Sequence, residues 1–207
     1  LFSGFQSNLA LNNDTDIWEN FRKGDKSALS AIYFLHFHSM FQYGIRFKDD
    51  PEFIKDCIQE VFFKLIKAGN NLGTTTNIRF YLFKALKNTI YSEISKSRKT
   101  EEVNIDQLKF EALFSLEEEI SENINATAKE KALELALKSL SAKQREIIYL
   151  RYECGMDYTQ ICEIVHLKND SARKLVYRTI KTLREIIEYH LKIPVLFFLR
   201  FSPKYVL

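Results

Sequence analysis

The sequence is poor in the residues that break helices or cross-link small domains. Among 207 residues there are only three prolines, six glycines and three cysteines. Scarce proline and glycine, together with apolar residues that recur every three or four positions, predict an almost all-helical protein. The cysteines Cys57, Cys154 and Cys162 are odd in number and lack disulfide-framework spacing, so they indicate buried thiols in a reducing compartment.

Other missing features exclude whole classes of protein. No uninterrupted apolar run approaches the roughly 20 residues of a membrane span, and the first residues show no signal-peptide pattern. We therefore expect a cytoplasmic location. The sequence has no nucleophile-and-base arrangement and no phosphate-binding glycine loop, and His36 and His38 would point to different sides of a helix. It predicts no enzyme, cofactor, metal site or small-molecule substrate.

Charge is segregated along the chain, although the net charge is only +3. Residues 79–99 hold six cations and one acid, and residues 168–184 again hold six and one. Between them, residues 100–128 hold eight acids and one base. Charge by segment is the informative measure here. The pattern predicts a helical domain over 14–99, an acidic linker over 100–128, a second helical domain over 129–190 and an apolar tail over 191–207.

The segment from Leu140 to Leu183 has a helix-turn-helix pattern. Ser141 and Gln144 form a capping-box sequence, and the helix that they open is expected to end near Cys154-Gly155. A short second helix is predicted from Tyr158 to Val165. A third begins after a polar break, with Asn169 or Asp170 as its cap. Two helices joined by a tight turn, the second carrying cations, form a shape that enters the major groove of DNA.

The third helix of this segment has two distinct faces. Its predicted core face consists of residues at helical spacing: Ala172, Val176, Thr179, Ile180 and Leu183. Its predicted DNA-binding face is polar and basic: Ser171, Arg173, Lys174, Tyr177, Arg178 and Lys181. This helix therefore predicts a protein that reads duplex DNA.

A helix from Pro51 to Lys67 carries a second candidate site. Asp50 is its expected cap, with Pro51 in the first turn. Its predicted buried stripe is Ile54, Cys57, Ile58, Val61, Phe62, Leu65 and Ile66. Asp56, Gln59, Glu60, Phe63 and Lys67 share the other face. A large aromatic residue within a polar face indicates the footprint of a partner protein, whereas the alternative is an ordinary solvated surface.

A third helix of interest follows the polar loop Gly69–Thr76 and runs from Asn77 to Lys99. One face combines aromatic residues with lysines and a serine: Phe80, Lys84, Lys87, Tyr91 and Ser95. Arg98 and Lys99 extend this face. Cations attract phosphates and exposed aromatic rings stack on bases, so this face favours contact with single-stranded or melting DNA. In the alternative interpretation, Phe80 and Tyr91 only pack against neighbouring helices.

With these segments in place, the chain resembles the extracytoplasmic-function (ECF) sigma factors of bacterial RNA polymerase. Four matches carry the resemblance: Gly24–Tyr33 to the opening helix, Asp56-Cys57-Ile58-Gln59-Glu60-Val61-Phe62 to the core-binding motif, Tyr81–Asn88 to the promoter-melting helix, and Leu140–Arg184 to the fourth region. It covers roughly 18–99 and 129–187. The sequence departs from the family at Glu93, Gln160, Ala172 and Leu175, so the promoter sequence cannot be transferred.

The resemblance implies a two-domain promoter-specificity subunit whose partners are core RNA polymerase, promoter DNA and an anti-sigma factor. It implies that Asp56, Gln59, Glu60 and Phe63 bind the polymerase. It implies that the 69–77 loop and Asn88 capture a base flipped from the minus-ten element, within a larger contact set: Asn70, Asn71, Phe80, Lys84, Lys87, Asn88, Tyr91, Arg98 and Lys99. The third helix of the fourth region would read the minus-thirty-five element through Ser171, Arg173, Lys174, Tyr177, Arg178 and Lys181.

Two other functions remain open at this point. A helix-turn-helix regulator would bind its operator without polymerase and would not need the Asp56–Phe63 face. An interaction protein would instead be held inactive on a membrane or a partner through its apolar tail.

Overall fold

The computed structural model describes residues 14–97, 109–111 and 124–191. Within these ranges the regular structure is helical and there is no strand, as the predicted all-helical fold class requires. The chain divides into two compact units, Leu1–Lys109 and Phe110–Leu207. Each is described separately below.

The described part of the first unit contains four helices: α1 (14–22), α2 (Lys26–Gly44), α3 (Pro51–Ala68) and α4 (Ile78–Ser97). A short 3-10 turn, Gly69–Asn71, follows α3. Helices α2, α3 and α4 pack against one another. The core of the first unit, to which α1 contributes Trp18, consists of large side chains that are fully buried, among them Trp18, Ile32, Met40, Ile54, Ile58, Leu82, Phe83 and Leu86. Inside it, the rings of Tyr43 and Phe83 stack with centroids 4.6 Å apart.

The helix ends of the first unit follow from side chains that satisfy free backbone amides. The Asp50 carboxylate accepts a hydrogen bond of 3.1 Å from the Phe53 amide, and Pro51 occupies the first turn of α3, which confirms the predicted cap. The Asn77 side-chain oxygen accepts from the Phe80 amide at 2.9 Å. These caps fix where α3 and α4 start.

Helices α2 and α3 approach closely at Gly44. A Cβ atom on Gly44 would lie 2.7 Å from Cγ2 of Ile54. Glycine is therefore needed at this position for steric reasons, since its φ angle is ordinary for a helix.

The second unit contains α5 (Ile124–Ser139), α6 (Ala142–Ile148), a π-helical turn (Tyr149–Glu153), α7 (Tyr158–Val165) and α8 (Asn169–Leu191). Helix α8 is the longest and packs against α5, α6 and α7. Ala136 and Leu140 of α5 form a buried cluster with Leu183 of α8. The core of this unit therefore lies along one face of α8.

Local chemistry fixes the boundaries here as well. Ser141 and Gln144 form the predicted capping box, and Gly155 adopts the predicted left-handed conformation, with φ +67°. The predicted bounds of α7 are confirmed. The sequence did not reveal that Asp157 and Gln160 form a second capping box, or that His166 ends α7 with φ 53° and ψ 51°, a conformation that His tolerates better than most residues.

Helix α5 begins earlier than expected, because Ile124 lies within the range 100–128 predicted as linker. Phe110, also in that range, is buried in the second unit, and Arg145 Nε donates a hydrogen bond of 2.7 Å to its carbonyl oxygen. The acidic composition of the segment did not predict these features, because one buried aromatic residue such as Phe110 can dock a polar segment against a domain. Residues 98–108 and 112–123 and the predicted tail from 192 onward lie outside the described residues.

Candidate polymerase and nucleic-acid interfaces

Helix α8 presents a basic face, defined by the six residues Ser171, Arg173, Lys174, Tyr177, Arg178 and Lys181. All six are exposed, and Tyr177 is 72% exposed. On the opposite side, Ala172, Val176, Thr179 and Leu183 are buried, and Ile180 is half-buried. The predicted core stripe is thus confirmed, and the cations of the basic face are accessible to a polyanion.

One residue of the basic face, Arg173, contacts an aromatic ring that the sequence did not predict. Tyr158, at the start of α7, lies beneath the guanidinium of Arg173, with 5.4 Å between the guanidinium carbon and the ring centroid. Arg151 lies 4.8 Å from the same centroid. Both distances allow cation–π attraction. Only the contact between three separate elements brings these residues together, so no local sequence pattern could signal it.

On α3, the residues predicted to contact polymerase share one exposed surface, here called the α3 face. Asp56, Gln59 and Phe63 are exposed, and Phe63 retains 60% of its accessible surface. Glu60 is partly exposed and pairs with Lys64 at 3.3 Å. The expected burial of Ile66 is wrong, since this residue is 57% exposed. The apolar stripe of α3 is wider than the surface that neighbouring helices cover.

Helix α2 contributes an apolar surface that the sequence analysis missed. Phe34 is 80% exposed and Leu35 is 59% exposed. Tyr33 and Phe37 are half-buried, and the Tyr33 ring contacts that of Phe62 on α3 at 5.1 Å. The available signal was the absence of Asp, Glu, Lys and Arg from residue 27 to residue 45. A helix that is apolar all round is normally covered.

A groove of about 360 Å³ separates α3 from α4 and has acidic walls. Its lining consists of Phe53, Asp56, Cys57, Glu60, Glu93 and Lys96. Burial raises the pKa of the Cys57 thiol to about 11, with Glu93 and Asp56 adding to the shift. The thiol is therefore protonated and unreactive at neutral pH, as expected for a structural cysteine.

Two of the predicted minus-ten contacts are not on the surface of α4. Lys87 is 3% exposed and Tyr91 is 9% exposed, so the expected solvent-facing position is wrong for both. The cause is Phe47, in the turn after α2, whose ring centroid lies 6.3 Å from that of Tyr91 and 5.8 Å from Lys87 Nζ. For Tyr91 the packing interpretation is the correct one. Phe80 and Lys84 remain partly exposed, with Lys84 Nζ 5.7 Å from the Phe80 ring centroid.

A second groove, here called the loop groove, lies where α3, the 3-10 turn and α4 meet. It measures about 320 Å³, and Ala68, Leu72, Tyr81 and Asn88 are among its lining residues. Asn70, Asn71 and Asn88 are all exposed. Of the predicted 69–77 loop, Leu72 lines this groove together with Asn88, whereas Asn70 and Asn71 are not among its lining residues. Arg98 and Lys99, which were predicted to extend this site, lie outside the described residues.

The part of the chain that the structure describes contains neither a metal-ligand cluster nor a membrane-spanning helix. Its histidines, cysteines and carboxylates nowhere gather in groups of three or more that could hold a metal ion. None of its helices combines the length and apolar character needed to cross a membrane.

Residues 130–183, which include α6, α7 and most of α8, match the family model described as "Sigma-70, region 4". This part of the second unit is therefore similar to a sigma-70 region 4 domain. The exposed basic face of α8 is consistent with the DNA-binding role predicted from its sequence. The predicted resemblance to ECF sigma factors is therefore confirmed where the helix-turn-helix lies, and the capping box at Asp157 and the Tyr158 contacts are features of this part of the second unit.

A solved structure similar to this chain is that of the sigma factor RpoE of Bartonella quintana, in complex with the anti-sigma factor NepR. The identity is 20% and the TM-score 0.54, over 77% of this chain and 96% of that chain. The likeness extends beyond residues 130–183 and shows that the chain shares the helical fold of that sigma factor. No curated protein sequence matches the chain significantly.

Proposed function

We propose that this chain is a promoter-specificity subunit that binds core RNA polymerase and directs transcription initiation at particular promoters. The observation that carries the proposal is the basic face of α8, fully exposed along the recognition helix of a region 4 domain. A recognition helix lies in the major groove and reads base edges there. We assign this helix to the minus-thirty-five element. The role needs no catalytic group or cofactor and requires a cytoplasmic location.

The first unit would supply polymerase binding and promoter melting. The α3 face offers one exposed aromatic anchor among polar residues, an arrangement typical of interface centres. The loop groove is lined by the polar side chain of Asn88 and by the apolar side chain of Leu72, and the exposed Asn70 and Asn71 directly precede Leu72 in the chain. A flipped base needs both hydrogen-bonding groups and an apolar surface to offset unstacking. With Lys87 and Tyr91 buried, we assign the minus-ten surface among the described residues to Asn70, Asn71, Phe80, Lys84 and Asn88, and we retain Arg98 and Lys99 as proposed contacts.

An anti-sigma factor is the further partner that we propose. The RpoE structure that this chain resembles contains one. The exposed apolar surface of α2 and the α3 face both need a covering partner when polymerase is absent.

The decisive experiment mixes the purified full chain with core polymerase and tests for co-purification and for transcription from a library of promoter fragments. A sigma subunit will bind core enzyme and confer start sites that core enzyme alone lacks. A chain that binds duplex DNA equally well without polymerase, and never co-purifies with it, would instead be the helix-turn-helix regulator considered above. The matched control is a preparation lacking residues 110–207, which retains the polymerase-binding unit but loses minus-thirty-five recognition.

A further inference from the structure

Tyr158 is the first residue of α7, the helix that supports the recognition helix α8. Its ring contacts the charged side chain of Arg173 on α8. Its ring centroid lies 5.4 Å from the Arg173 guanidinium carbon and 4.8 Å from that of Arg151. Cations within about 6 Å of a ring centroid are attracted to it. One ring therefore serves two arginines.

The backbone that carries the ring is held in place by local hydrogen bonds. Tyr158 is the first residue of α7, and the capping box of Asp157 and Gln160 fixes the backbone there through hydrogen bonds of 2.8 and 3.2 Å. Arg151 is anchored from the other side, since its Nη1 donates to the Met156 carbonyl oxygen at 2.8 Å. The ring is thus part of a preformed platform, whereas Arg173 is exposed on an early turn of α8.

The other cations of the basic face differ from Arg173 in the contacts that their side chains make. Lys174 and Arg178 are exposed, and Lys181 has only a loose pairing with Glu185 at 3.8 Å. Within the described side chains of this face, an aromatic contact is found for Arg173. A free arginine must lose rotamer freedom when it binds, and fixing it beforehand reduces that loss.

We propose that Tyr158 is a positioning residue that orients Arg173 toward a guanine edge in the major groove. This inference rests on the proposed function and deepens it, because it selects which cation of the basic face reads a base. Residues near the start of a recognition helix contact base edges, and arginine pairs with guanine O6 and N7 through two hydrogen bonds that need a defined guanidinium plane. The ring supplies that plane. Arg178 and Lys181, farther along α8, contact phosphates.

The test compares Tyr158→Leu, Tyr158→Phe and Arg173→Ala in the full chain with core polymerase. The probe is a set of duplexes selected by the parent from a randomised library, together with copies substituted at single positions. Arg173→Ala is expected to relax discrimination about tenfold or more at one base pair. Tyr158→Leu should relax the same position, leave the others unchanged and add nothing to Arg173→Ala. Tyr158→Phe keeps the ring and should behave as the parent.

Three results would overturn the inference while leaving the proposed function intact. One is a Tyr158→Leu variant that selects the same sequences as the parent. Another is a Tyr158→Phe variant that loses affinity for all duplexes alike with a flatter salt dependence, which would assign the hydroxyl to a phosphate. The third, measurable even if Tyr158→Leu folds poorly, is the absence of a ring-current shift on the Arg173 side-chain protons of the parent. If the parent selects no sequence at all, the proposed function itself fails.

Discussion

The indole Nε1 of Trp18 donates a hydrogen bond of 2.9 Å to the carbonyl oxygen of Gly73. This bond connects α1 to the loop that precedes α4, across 55 positions of sequence. Trp18 is fully buried and its ring also lies 4.9 Å from that of Tyr81. The loop that borders the loop groove is therefore attached to the core of the first unit by one side chain.

Replacing Trp18 by Phe should lower the free energy of unfolding by about 1–3 kcal/mol, because the donor is lost and the smaller ring leaves a void. The specific expectation is that the substitution accelerates amide hydrogen exchange, relative to the parent, more in residues 69–77 than in α3. Urea unfolding and hydrogen exchange measure the two effects. Uniformly faster exchange throughout the first unit would argue that Trp18 acts only as a core residue.

The α3 face should account for polymerase binding. Changing Gln59, Glu60 and Phe63 together to Ala should weaken binding to core polymerase by about 2 kcal/mol or more, since central aromatic anchors typically contribute that amount. All three side chains are at least partly exposed, so the circular dichroism spectrum should not change. Glu52→Ala, on the same helix but in its first turn, is the matched control. Equal affinity of the triple variant and the parent would refute the assignment.

The cations of the basic face should divide into two groups by salt dependence. Losing a phosphate contact reduces the log-log slope of affinity against salt by about 0.9, so Arg178→Ala and Lys181→Ala should each flatten it and weaken all duplexes alike. Lys131→Ala, an exposed cation on α5, should leave the slope unchanged. Filter binding or fluorescence anisotropy at several salt concentrations gives the slopes. Slopes identical to the parent's in both variants would exclude phosphate contacts here.

His36 should make stability depend on pH. Neither ring nitrogen has a hydrogen-bond partner among the described residues, and burial lowers the pKa of this histidine, with Arg79 also lowering it and Asp14 opposing the shift. The unfolded chain takes up a proton near pH 6.5, whereas the folded protein does so only at lower pH. Stability is therefore greatest above that value and falls as pH decreases toward the folded pKa.

The measurement is the melting temperature between pH 7.5 and 5.5 as approximate limits, above the range in which carboxylates titrate. His36→Leu should remove most of the slope over this interval, whereas His38→Gln, at an exposed position, should retain it. A slope that survives in His36→Leu would assign the effect to another group.

Gly44 should not tolerate any side chain. Gly44→Ala would place a methyl group 2.7 Å from Ile54 Cγ2, so we expect a loss of about 1–3 kcal/mol from overpacking, despite the better helix propensity of Ala. Gly73→Ala is the control, because no atom lies within 4 Å of its added Cβ. The double variant Gly44→Ala, Ile54→Leu should recover part of the loss, because leucine has no Cγ2 atom at the point of contact. Chemical denaturation gives all three values, and a neutral Gly44→Ala would disprove the steric argument.

Features set by neighbouring residues in the sequence were predictable. The caps at Asp50 and Ser141 and the bounds of α7 depend on side chains that bond to amides two or three positions away, and the buried stripe of α8 depends on helical period alone. Features set by packing between elements were not. Lys87 and Tyr91 are buried because Phe47 lies against them. Ile66 is exposed because none of the described helices covers it, and Arg173 lies on Tyr158 because α7 and α8 are in contact.

The uncharged outer surface of α2 has a consequence for the protein at high concentration. Solubility depends on repulsion between like charges, and a net charge of +3 on 207 residues provides little of it. With Phe34 and Leu35 facing water, charge repulsion offers little opposition to the association of free molecules through this surface. We therefore expect co-expression with a partner that covers α2 to raise the recoverable yield.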